Sequence, residues 1–407
     1  MRKLLPLLPL LLLCATPATA LAQFDYGASG YVDLRLVAPG GETSWLDGGL
    51  GKLRYGKGDS DFQFGGAVAQ GYVMPTPEIL AVAVVRAETE QRDFVDALEA
   101  YVRYRPVSTT PWRWSVKAGA FFAPFSLENT EVGWSSYWTI TPSAINSWFG
   151  DELRTIGAEG TLDWRLEAGT LELIGSVYGW NDPAGVMIAD RGWSLDDTPT
   201  SLFDHLREPD ATQILFGGKP PGYTPIFREL DNRAGWYAGA SWDDAAQWHV
   251  EIERYDNEAD PAAHYDDYFA WRTRFWNAGF SWKHDDFTVI SQALTGDTAI
   301  APFPGFVSIT DFDSAFLLVG WERGDWRLAA RGDVFHTKTR NTFGASPLLG
   351  ENGRALTGAV SWLPRDWVRL TGEVLWIDST RQERVISGLS PQKSETQAQL
   401  SARFYFE

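Results

Sequence analysis

The segment SWLPRDWVRL, residues 361–370, places Trp362 and Trp367 on either side of a short polar stretch that contains Pro364. Similar units recur earlier in the chain at regular intervals, and Asp and Pro favour tight turns. The bracketing aromatic pairs are Trp242 and Trp248, Trp282 and Phe287, Trp321 and Trp326, and Trp362 and Trp367. The sequence therefore predicts a series of strand hairpins whose turns are flanked by aromatic rings.

Apolar and polar residues alternate along the segments next to these turns. Between Val368 and Trp376, apolar residues and glycine hold the even positions, while Arg369, Thr371 and Glu373 hold odd ones. Because successive strand side chains point to opposite faces, each such segment has one apolar face and one polar face.

The C-terminal segment ETQAQLSARFYFE, residues 395–407, shows this alternation most clearly. Segments of this kind run for about 10–13 residues, closer to the ~9–11 of a tilted membrane-spanning strand than to the ~5–6 of an ordinary one. No apolar run after the N-terminal segment reaches the ~18 residues of a spanning helix. We therefore predict an all-β fold, a transmembrane antiparallel β-barrel.

Short and long connections alternate from residue 105 onward, as they do in membrane barrels with turns at one end and loops at the other. The number of strand-like segments is odd, whereas single-chain bacterial barrels have even numbers. We predict 16 strands, with 44–56 as a strand and 25–37 outside the wall; 18 strands is the alternative. The predicted long connections are 123–150, 180–232 (a long extracellular loop), 257–268, 298–312, 339–353 and 379–394.

The N-terminus has the pattern of a secretory signal. Arg2 and Lys3 precede an apolar run, which is followed by small residues that end at Ala22. We predict a signal peptide at residues 1–22 and a mature barrel at 23–407. The single cysteine, Cys14, lies within the signal and follows Leu13, which does not favour a lipid anchor. A mature chain without cysteine fits an oxidising exterior.

Composition excludes some functions and raises one question. With 53 acidic and 35 basic residues the formal net charge is −18, so nucleic acid is not a predicted partner. The chain also contains 20 Trp, 23 Phe and 14 Tyr. Membrane barrels carry aromatic girdles at both interfaces, because amphipathic rings prefer the headgroup region. The turn aromatics are predicted to form such a girdle; the alternative is the core of a soluble sheet protein.

Together, the signal peptide, the cysteine-free mature chain, the long amphipathic strands and the aromatic last strand resemble Gram-negative outer-membrane porins. That family ends in alternating apolar residues with a terminal Phe, which the barrel-assembly machinery recognises. Phe404 and Phe406 match this pattern, although Glu407 follows them. The resemblance implies a place in the outer membrane of a Gram-negative bacterium, in contact with lipid and lipopolysaccharide.

A closer likeness, to phosphate-selective porins of the O/P type, rests on YVDLRLV (31–37) and KAGAFFAPFSLEN (117–129). It implies a homotrimer of 16-stranded barrels, each with an inward-folded loop at the constriction. An arginine-rich loop expected of a phosphate selector is not evident, so the solute stays open.

The predicted function is a passive channel for small hydrophilic solutes or ions through a lumen lined by both charge signs. We expect residues 123–150 to fold into the lumen; an exposed loop is the alternative. Glu128 and Glu131 are predicted to face Arg103, Arg105 and Lys117 across the narrowest point. Other lining residues of the predicted pore are Arg35, Arg331, Arg369 and Arg403.

Four other functions are weighed against a channel. A plugged barrel or a surface-binding, adhesive one would share the same pattern. A catalytic barrel is disfavoured because no Gly-x-Ser-x-Gly motif accompanies the five histidines. A secreted β-propeller repeats every ~40–45 residues, but each blade holds four short strands. Acidic pairs such as Asp196-Asp197 suit turns better than metal sites, so neither metal nor cofactor is predicted.

Overall fold

A computed structural model describes residues 24–218 and 221–407. The predicted signal peptide, residues 1–22, lies outside the described residues. Within the described part, sixteen long strands form a closed antiparallel barrel, because the first strand pairs with both the second and the last. The prediction of a 16-stranded antiparallel β-barrel is confirmed.

We number the wall strands in chain order. They are β1 Asp25–Ala38, β2 Phe62–Thr76, β3 Ile79–Ala87, β4 Val95–Tyr104, β5 Trp112–Phe121, β6 Thr155–Leu166, β7 Gly169–Gly179, β8 Gly235–Asp244, β9 Trp248–Asp256, β10 Arg272–His284, β11 Phe287–Phe303, β12 Phe306–Arg323, β13 Trp326–Asn341, β14 Glu351–Arg365, β15 Val368–Arg381 and β16 Gln392–Phe406. Outside the wall, two-residue strands lie at Leu206–Arg207, Tyr223–Thr224, His264–Tyr265, Tyr268–Phe269 and Gly344–Ala345.

Helices occur between the strands. The α-helices are α1 Ala144–Glu152, α2 Val186–Asp190 and α3 Asp210–Leu215, and the 3-10 helices are Trp45–Asp47, Pro347–Leu349 and Gln382–Ser387. Among the described residues, none of the helices combines the length and the apolar character needed to cross a membrane.

The barrel closes where β1 pairs with β16. Tyr31 lies opposite Tyr405 and Asp33 lies opposite Arg403, and all four side chains face inward. The Tyr31 and Tyr405 rings meet edge to face with centroids 5.9 Å apart. Phe404, on the outer face, lies opposite Val32. The alternation read in the sequence therefore sets the register of closure, because a one-residue slip would turn every side chain to the other face.

The two ends of the barrel differ in their connections. At one end, the turn end, the strands are joined by short segments: 77–78, 105–111, 167–168, 245–247, 285–286, 324–325 and 366–367. At the other end, the loop end, the connections include three long loops. These are loop 1 (39–61), loop 3 (122–154) and loop 4 (180–234).

Two segments depart from the predicted strand map. The sequence analysis predicts a strand at 44–56 and leaves 25–37 outside the wall, whereas the structure makes Asp25–Ala38 the first wall strand and folds 44–56 into loop 1. Gly48, with φ of 81°, ends the 3-10 helix Trp45–Asp47, and this left-handed conformation interrupts an extended chain. The predicted count of 16 is right, but the segment set aside was the wrong one.

The predicted long connection 298–312 is also wrong. Here β11 and β12 extend until Phe303 pairs with Phe306 across a two-residue turn. A register shift between Ile300 and Phe303 accommodates Pro302, which has no N–H for the ladder. Gly305 takes the positive φ, 82°, that the turn requires.

The predicted girdle residues all lie at the turn end. Seven of the eight are in strands, on the outer face, and Trp367 lies in the turn 366–367. Neighbouring strands bring their rings together: Trp326 stacks on Trp362 with centroids 5.9 Å apart and planes 17° apart. Trp112 and Trp164 form a similar stack at 5.1 Å.

We predict that the Trp326–Trp362 stack couples energetically. A double-mutant cycle with Trp326→Ala and Trp362→Ala, measured by urea unfolding in lipid vesicles, should give a coupling of about 0.5–1 kcal/mol. The matched cycle of Trp326→Ala with Trp112→Ala joins residues of distant strands and should be additive within about 0.5 kcal/mol. Equal coupling in both cycles would contradict a contact between stacked rings.

Candidate functional site

The lumen is filled by parts of the three long loops. We call residues 42–56, 122–154 and 181–201 the plug, because most of their side chains are buried. The centre of the plug is apolar: Trp148 of α1 packs against the inward-facing Phe312 with ring centroids 5.1 Å apart, and against Trp193 at 6.0 Å. Phe149 stacks on Phe275 of β10 at 5.6 Å. The plug and the inner wall therefore share one hydrophobic core.

Arg331 of β13 holds loop 3 from inside the wall. Its guanidinium donates to Glu128 Oε1 at 2.6 Å, to the Thr141 carbonyl at 2.8 Å and to the Pro142 carbonyl at 3.0 Å. Its Nε donates to Asp333 at 2.9 Å. The Arg331 and Glu128 side chains are both fully buried. A buried ion pair is retained when further hydrogen bonds satisfy its remaining donors, as they do here.

Wall carboxylates in turn accept backbone N–H groups of loop 3. Glu373 of β15 accepts from Ile140 at 2.7 Å and from Thr141 at 3.2 Å. Asp333 accepts from Ala144 at 3.2 Å, at the start of α1. The first N–H groups of a helix lack intrahelical partners and attract negative charge, so Asp333 positions the start of α1 in the lumen while Glu373 holds the segment before it.

Loop 3 crosses the lumen from one wall to the other. On the side where it leaves β5, the Phe122 N–H donates to Glu99 of β4 at 3.0 Å. Midway, the Phe125 carbonyl accepts from Asn277 of β10 at 3.2 Å and from Gln292 of β11 at 2.5 Å. Together with the Arg331 contacts on β13, these bonds span the barrel.

Loops 1 and 4 meet at Asp197. Its carboxylate pairs with Arg35 of β1 at 2.5 Å and with Arg54 of loop 1 at 3.1 Å, and its carbonyl accepts from Arg86 of β3 at 3.1 Å. Burial alone would raise the pKa of Asp197, but the Arg35 and Arg54 guanidinium groups outweigh it and hold that pKa well below its usual range. Asp197 is therefore a charged link between wall and plug, not a solvated turn.

A second cluster joins loops 1 and 4 to strands β14 and β15. Lys52 pairs with Glu351 of β14 at 2.6 Å and donates to the Arg191 carbonyl at 2.9 Å. Arg381 of β15 donates to the Asp190 carbonyl at 2.6 Å. Burial, and then the neighbouring Glu383 carboxylate, raise the pKa of Asp190 to about 8. These contacts bury residues 181–201, so this part of the predicted long loop 180–232 lies in the lumen.

The predicted facing of the loop 3 acids is wrong. Glu128 meets Arg331, and Glu131 pairs with Arg369 at 2.9 Å, with Arg327 and Arg403 each at 3.9 Å. The predicted partners of these acids lie elsewhere, as described next. Because loop 3 crosses the lumen after leaving β5, its acids reach the opposite wall.

The three basic residues predicted to face these two glutamates have other neighbours. Lys117 pairs with Glu159 of the adjacent β6 at 2.9 Å. Arg103, on the inner face of β4, is half-buried near the turn end, and Arg105 is exposed in the turn 105–111. The structure thus does not bring Arg103, Arg105 and Lys117 to the two glutamates.

The inner wall near the turn end carries opposite charges on opposite sides. We define the basic arc as Arg327, Arg369 and Arg403, on β13, β15 and β16, and the acidic arc as Asp163, Glu172 and Glu251, on β6, β7 and β9. Strands β7 and β15 are half the circumference apart. Exposure varies at this level: Lys117 is 17% and His249 19% exposed, whereas Arg369 and Asp163 are each 5% exposed. We call this space the vestibule.

Sequence reasoning missed several residues that hold the plug or line the vestibule. Arg327 and Glu172 continue the polar face of their strands and could have been found by extending the alternation. Lys52, Arg54 and Asp197 lie in loops without periodicity, so no pattern identified their partners.

Among the residues that the structure describes, one acidic cluster has the geometry to hold a metal ion. Asp182, Glu229 and Asp231 each bring a carboxylate oxygen within 4.8 Å of the others. Asp182 already accepts the N–H groups of Leu230 and Asp231, which explains the cluster as a local loop structure.

No protein-family model and no curated protein matches this sequence. Solved structures do match. The outer membrane channel DcaP of Acinetobacter baumannii superposes with a TM-score of 0.53 at 12% identity, covering 96% of this chain and 100% of that chain. The anion-selective porin from Comamonas acidovorans gives 0.51 at 10% identity, covering 94% and 100%. The trimer form of the outer membrane protein OmpT of Vibrio cholerae gives 0.52 at 11% identity, covering 94% and 99%. At these identities the likeness is one of fold.

We predict that Arg331→Met destabilises the plugged barrel. The substitution leaves Glu128 and Asp333 buried without their cation, so the free energy of unfolding should fall by about 3–5 kcal/mol. Arg323→Met is the control: Arg323 is 76% exposed and 3.9 Å from Asp286, and such a pair contributes at most about 1 kcal/mol. Urea unfolding in detergent measures both. Equal losses in the two variants would contradict a structural role for the buried pair.

Proposed function

We propose that this protein is a passive channel of a Gram-negative outer membrane for small hydrophilic solutes or ions. One observation carries the proposal: the closed barrel has an apolar outer wall and a charged inner wall, as porin barrels do, and the plug leaves a partly exposed edge beside Glu131. The fold likeness to proteins described as an outer membrane channel and an anion-selective porin supports it.

The solute path, on this proposal, enters the vestibule and follows the solvated edge of the plug. Glu131 is 23% exposed and Arg327 12%, whereas Glu128 and Arg331 are fully buried. A path through the apolar centre would have to displace the packed rings of Trp148 and Trp193. The edge beside Glu131 is therefore the constriction that we propose.

Charges of both signs act on a solute in the vestibule. Each arginine of the basic arc is near an acid: Arg327 pairs with Glu322 at 2.8 Å, and Arg403 with Asp33 at 3.1 Å. These pairs reduce the net charge of the basic arc, and the remaining difference between the acidic and basic arcs creates a field across the vestibule. We propose a general hydrophilic path with weak ion selectivity, set by the balance of the two arcs. Phosphate selectivity, as in the O/P-type porins that the sequence resembles, would be one outcome of that balance.

A catalytic role receives no support from the histidine best placed for one. The ring nitrogens of His249 face Asp243 at 2.8 Å and Glu251 at 3.1 Å. A general base needs a ring nitrogen next to a nucleophile, so we propose that the protein is not an enzyme.

A barrel that stays plugged is the second candidate, because the lumen is filled at mid-height.

We further propose a homotrimer that assembles through the outer face of β1–β4. This face carries small residues near the turn end, with an open apolar depression of about 540 Å³ beside Gly71, Ala81 and Ala83. The adjacent strands β3, β4 and β5 have only 9, 10 and 10 residues, against 17 and 18 in β11 and β12. A neighbouring barrel would cover this low, smooth side of the wall. The likeness to a protein solved in a trimer form supports the proposal.

We predict that Gly71→Trp dissociates the oligomer. A Cβ at Gly71 meets nothing within 4 Å, so the barrel itself accepts the side chain while a docked neighbour would not. Gly175→Trp on β7 is the matched control, with the same free space on a distant strand. Light scattering of the detergent-solubilised proteins should give a monomer for Gly71→Trp and the wild-type mass for Gly175→Trp. A monomeric wild type would refute the trimer.

We predict opposite selectivity shifts from the two arcs. In planar bilayers with a salt gradient, Arg369→Gln should move the reversal potential toward cation selectivity, because the basic arc loses a charge. Glu172→Gln should move it toward anion selectivity. Arg365→Gln, an exposed position at the turn end, is the control and should change it least.

Two results would count against the channel. Unchanged reversal potentials in both Arg369→Gln and Glu172→Gln would show that permeating ions do not pass the arcs. A refolded, heat-modifiable barrel without stepwise conductance would favour the plugged alternative.

A further inference from the structure

The three arginines of the basic arc converge on one carboxylate, that of Glu131 in loop 3. Arg369 donates from Nη1 to both Glu131 oxygens, at 2.9 and 3.2 Å. Nη1 of Arg327 and Nη1 of Arg403 each face the same carboxylate at 3.9 Å, beyond hydrogen-bond distance. The tethered side chain therefore bonds one of the three guanidinium groups and faces the other two without a bond.

Each arginine of the basic arc also lies over a tyrosine ring. The distances from the guanidinium carbon to the ring centroid are 3.7 Å for Arg327 over Tyr137, 4.1 Å for Arg403 over Tyr31 and 5.6 Å for Arg369 over Tyr405. A cation within about 6 Å of an aromatic centroid is attracted to the ring. These contacts do not involve Glu131, so they keep the three guanidinium groups in place as a preformed anion site.

The arc without Glu131 lacks one negative charge. Arg327 and Arg403 each have a further acidic partner, at 2.8 and 3.1 Å. Among residues 24–218 and 221–407, the only ion-pair partner of Arg369 is Glu131, and the Arg369 side chain is 5% exposed. A buried cation without a counter-charge is costly. The site must therefore hold an anion, and a single negative charge suffices.

Glu131 can leave this site without unfolding of loop 3. Its side chain is 23% exposed, at the solvated edge of the plug. Its backbone is closed in a tight turn, where the Glu131 N–H donates to the Ser135 carbonyl at 3.1 Å. Trp134 anchors this turn by stacking on Phe122, with ring centroids 4.2 Å apart. Exchange of Glu131 for a solute therefore requires only rotation of the side chain.

We propose that the basic arc binds the carboxylate group of a small monoanionic solute, and that Glu131 occupies the site as a competitor from the chain itself. The occupant in the structure is a carboxylate, and charge-assisted bonds from arginine to carboxylate are among the strong ones. A free carboxylate, unlike the tethered one, can move within reach of more than one arginine. Phosphate carries more charge than Arg369 alone balances. The inference rests on the proposed function, since a solute reaches the arc through the vestibule.

Formate binding to the full barrel in detergent micelles tests the proposal. Saturation-transfer NMR detects the formate proton, and formamide is the neutral probe of the same shape. We expect saturable binding of formate and none of formamide. Glu131→Ala should raise the formate affinity at least about fivefold, because an occupied site lowers the apparent affinity by the fraction of time for which it is free. Glu258→Ala, which removes an acid 38% exposed at the loop end, is the control and should leave the affinity unchanged.

Thermal stability gives a second readout of the same site. Glu131→Ala leaves Arg369 without its counter-charge, so Tm should fall, and formate but not formamide should restore part of the loss. In the double variant Glu131→Ala with Arg369→Gln the unbalanced cation is gone. That variant should neither bind formate nor gain stability from it. Heat-modifiable gel migration shows that each variant has folded.

Three results would overturn the inference: no formate binding to Glu131→Ala, equal rescue by formamide, or tighter binding of inorganic phosphate than of formate. These measurements need no bilayer. Formate binding by a barrel that does not conduct would refute the channel and leave the carboxylate site standing. Conductance without formate binding would refute the site and leave the channel.

Discussion

An inward-pointing guanidinium in a barrel lumen must meet an anion or a carbonyl wherever the lumen is filled by protein. Unpaired burial of such a charge is prohibitive. Arg35, Arg331 and Arg381 are almost fully buried, and the wall strands alone do not satisfy them. Their remaining partners come from the loops: the carboxylates of Asp197 and Glu128, and the backbone carbonyl of Asp190. The positions of loops 3 and 4 therefore follow from where the wall places its arginines.

The loops impose the converse requirement on the wall. A chain that enters the lumen brings backbone N–H groups, which must be paired when buried. Glu373, Asp333 and Glu99 accept those groups along loop 3. Acids of the inner wall thus accept hydrogen bonds from the loop backbone, while arginines of the inner wall donate to loop carboxylates and carbonyls. This reciprocity explains why both charge signs occur at mid-height without a conducting role for either.

The sequence predicts the strands of the barrel wall better than the loops that fill the lumen, for a physical reason. Strand side chains alternate with a period of two, so β13, β15 and β16 could be assigned to faces residue by residue. Segment 44–56 misleads because Lys52 and Arg54 alternate with Leu53 and Tyr55 as they would in a strand, and Pro302 misleads because a bulge accommodates it in the ladder. The Glu128–Arg331 pair joins residues 203 apart, and no local pattern encodes such a contact. Glu128 and Glu131 were therefore recognised as lumen residues but matched with the wrong wall.

Burial divides the lumen into two regions with different physics. At mid-height the ion pairs are dry, their interactions are strong, and breaking one is costly, so this region is structural. At the turn end, Glu131 and Lys117 retain contact with solvent, and water screens exposed charges. A permeating ion would interact with groups that are charged, solvated and unequally distributed around the wall. The charges of the basic and acidic arcs are unequally distributed around the wall, and Arg327 among them is 12% exposed, so selectivity would depend on the arcs rather than on the fully buried Arg331.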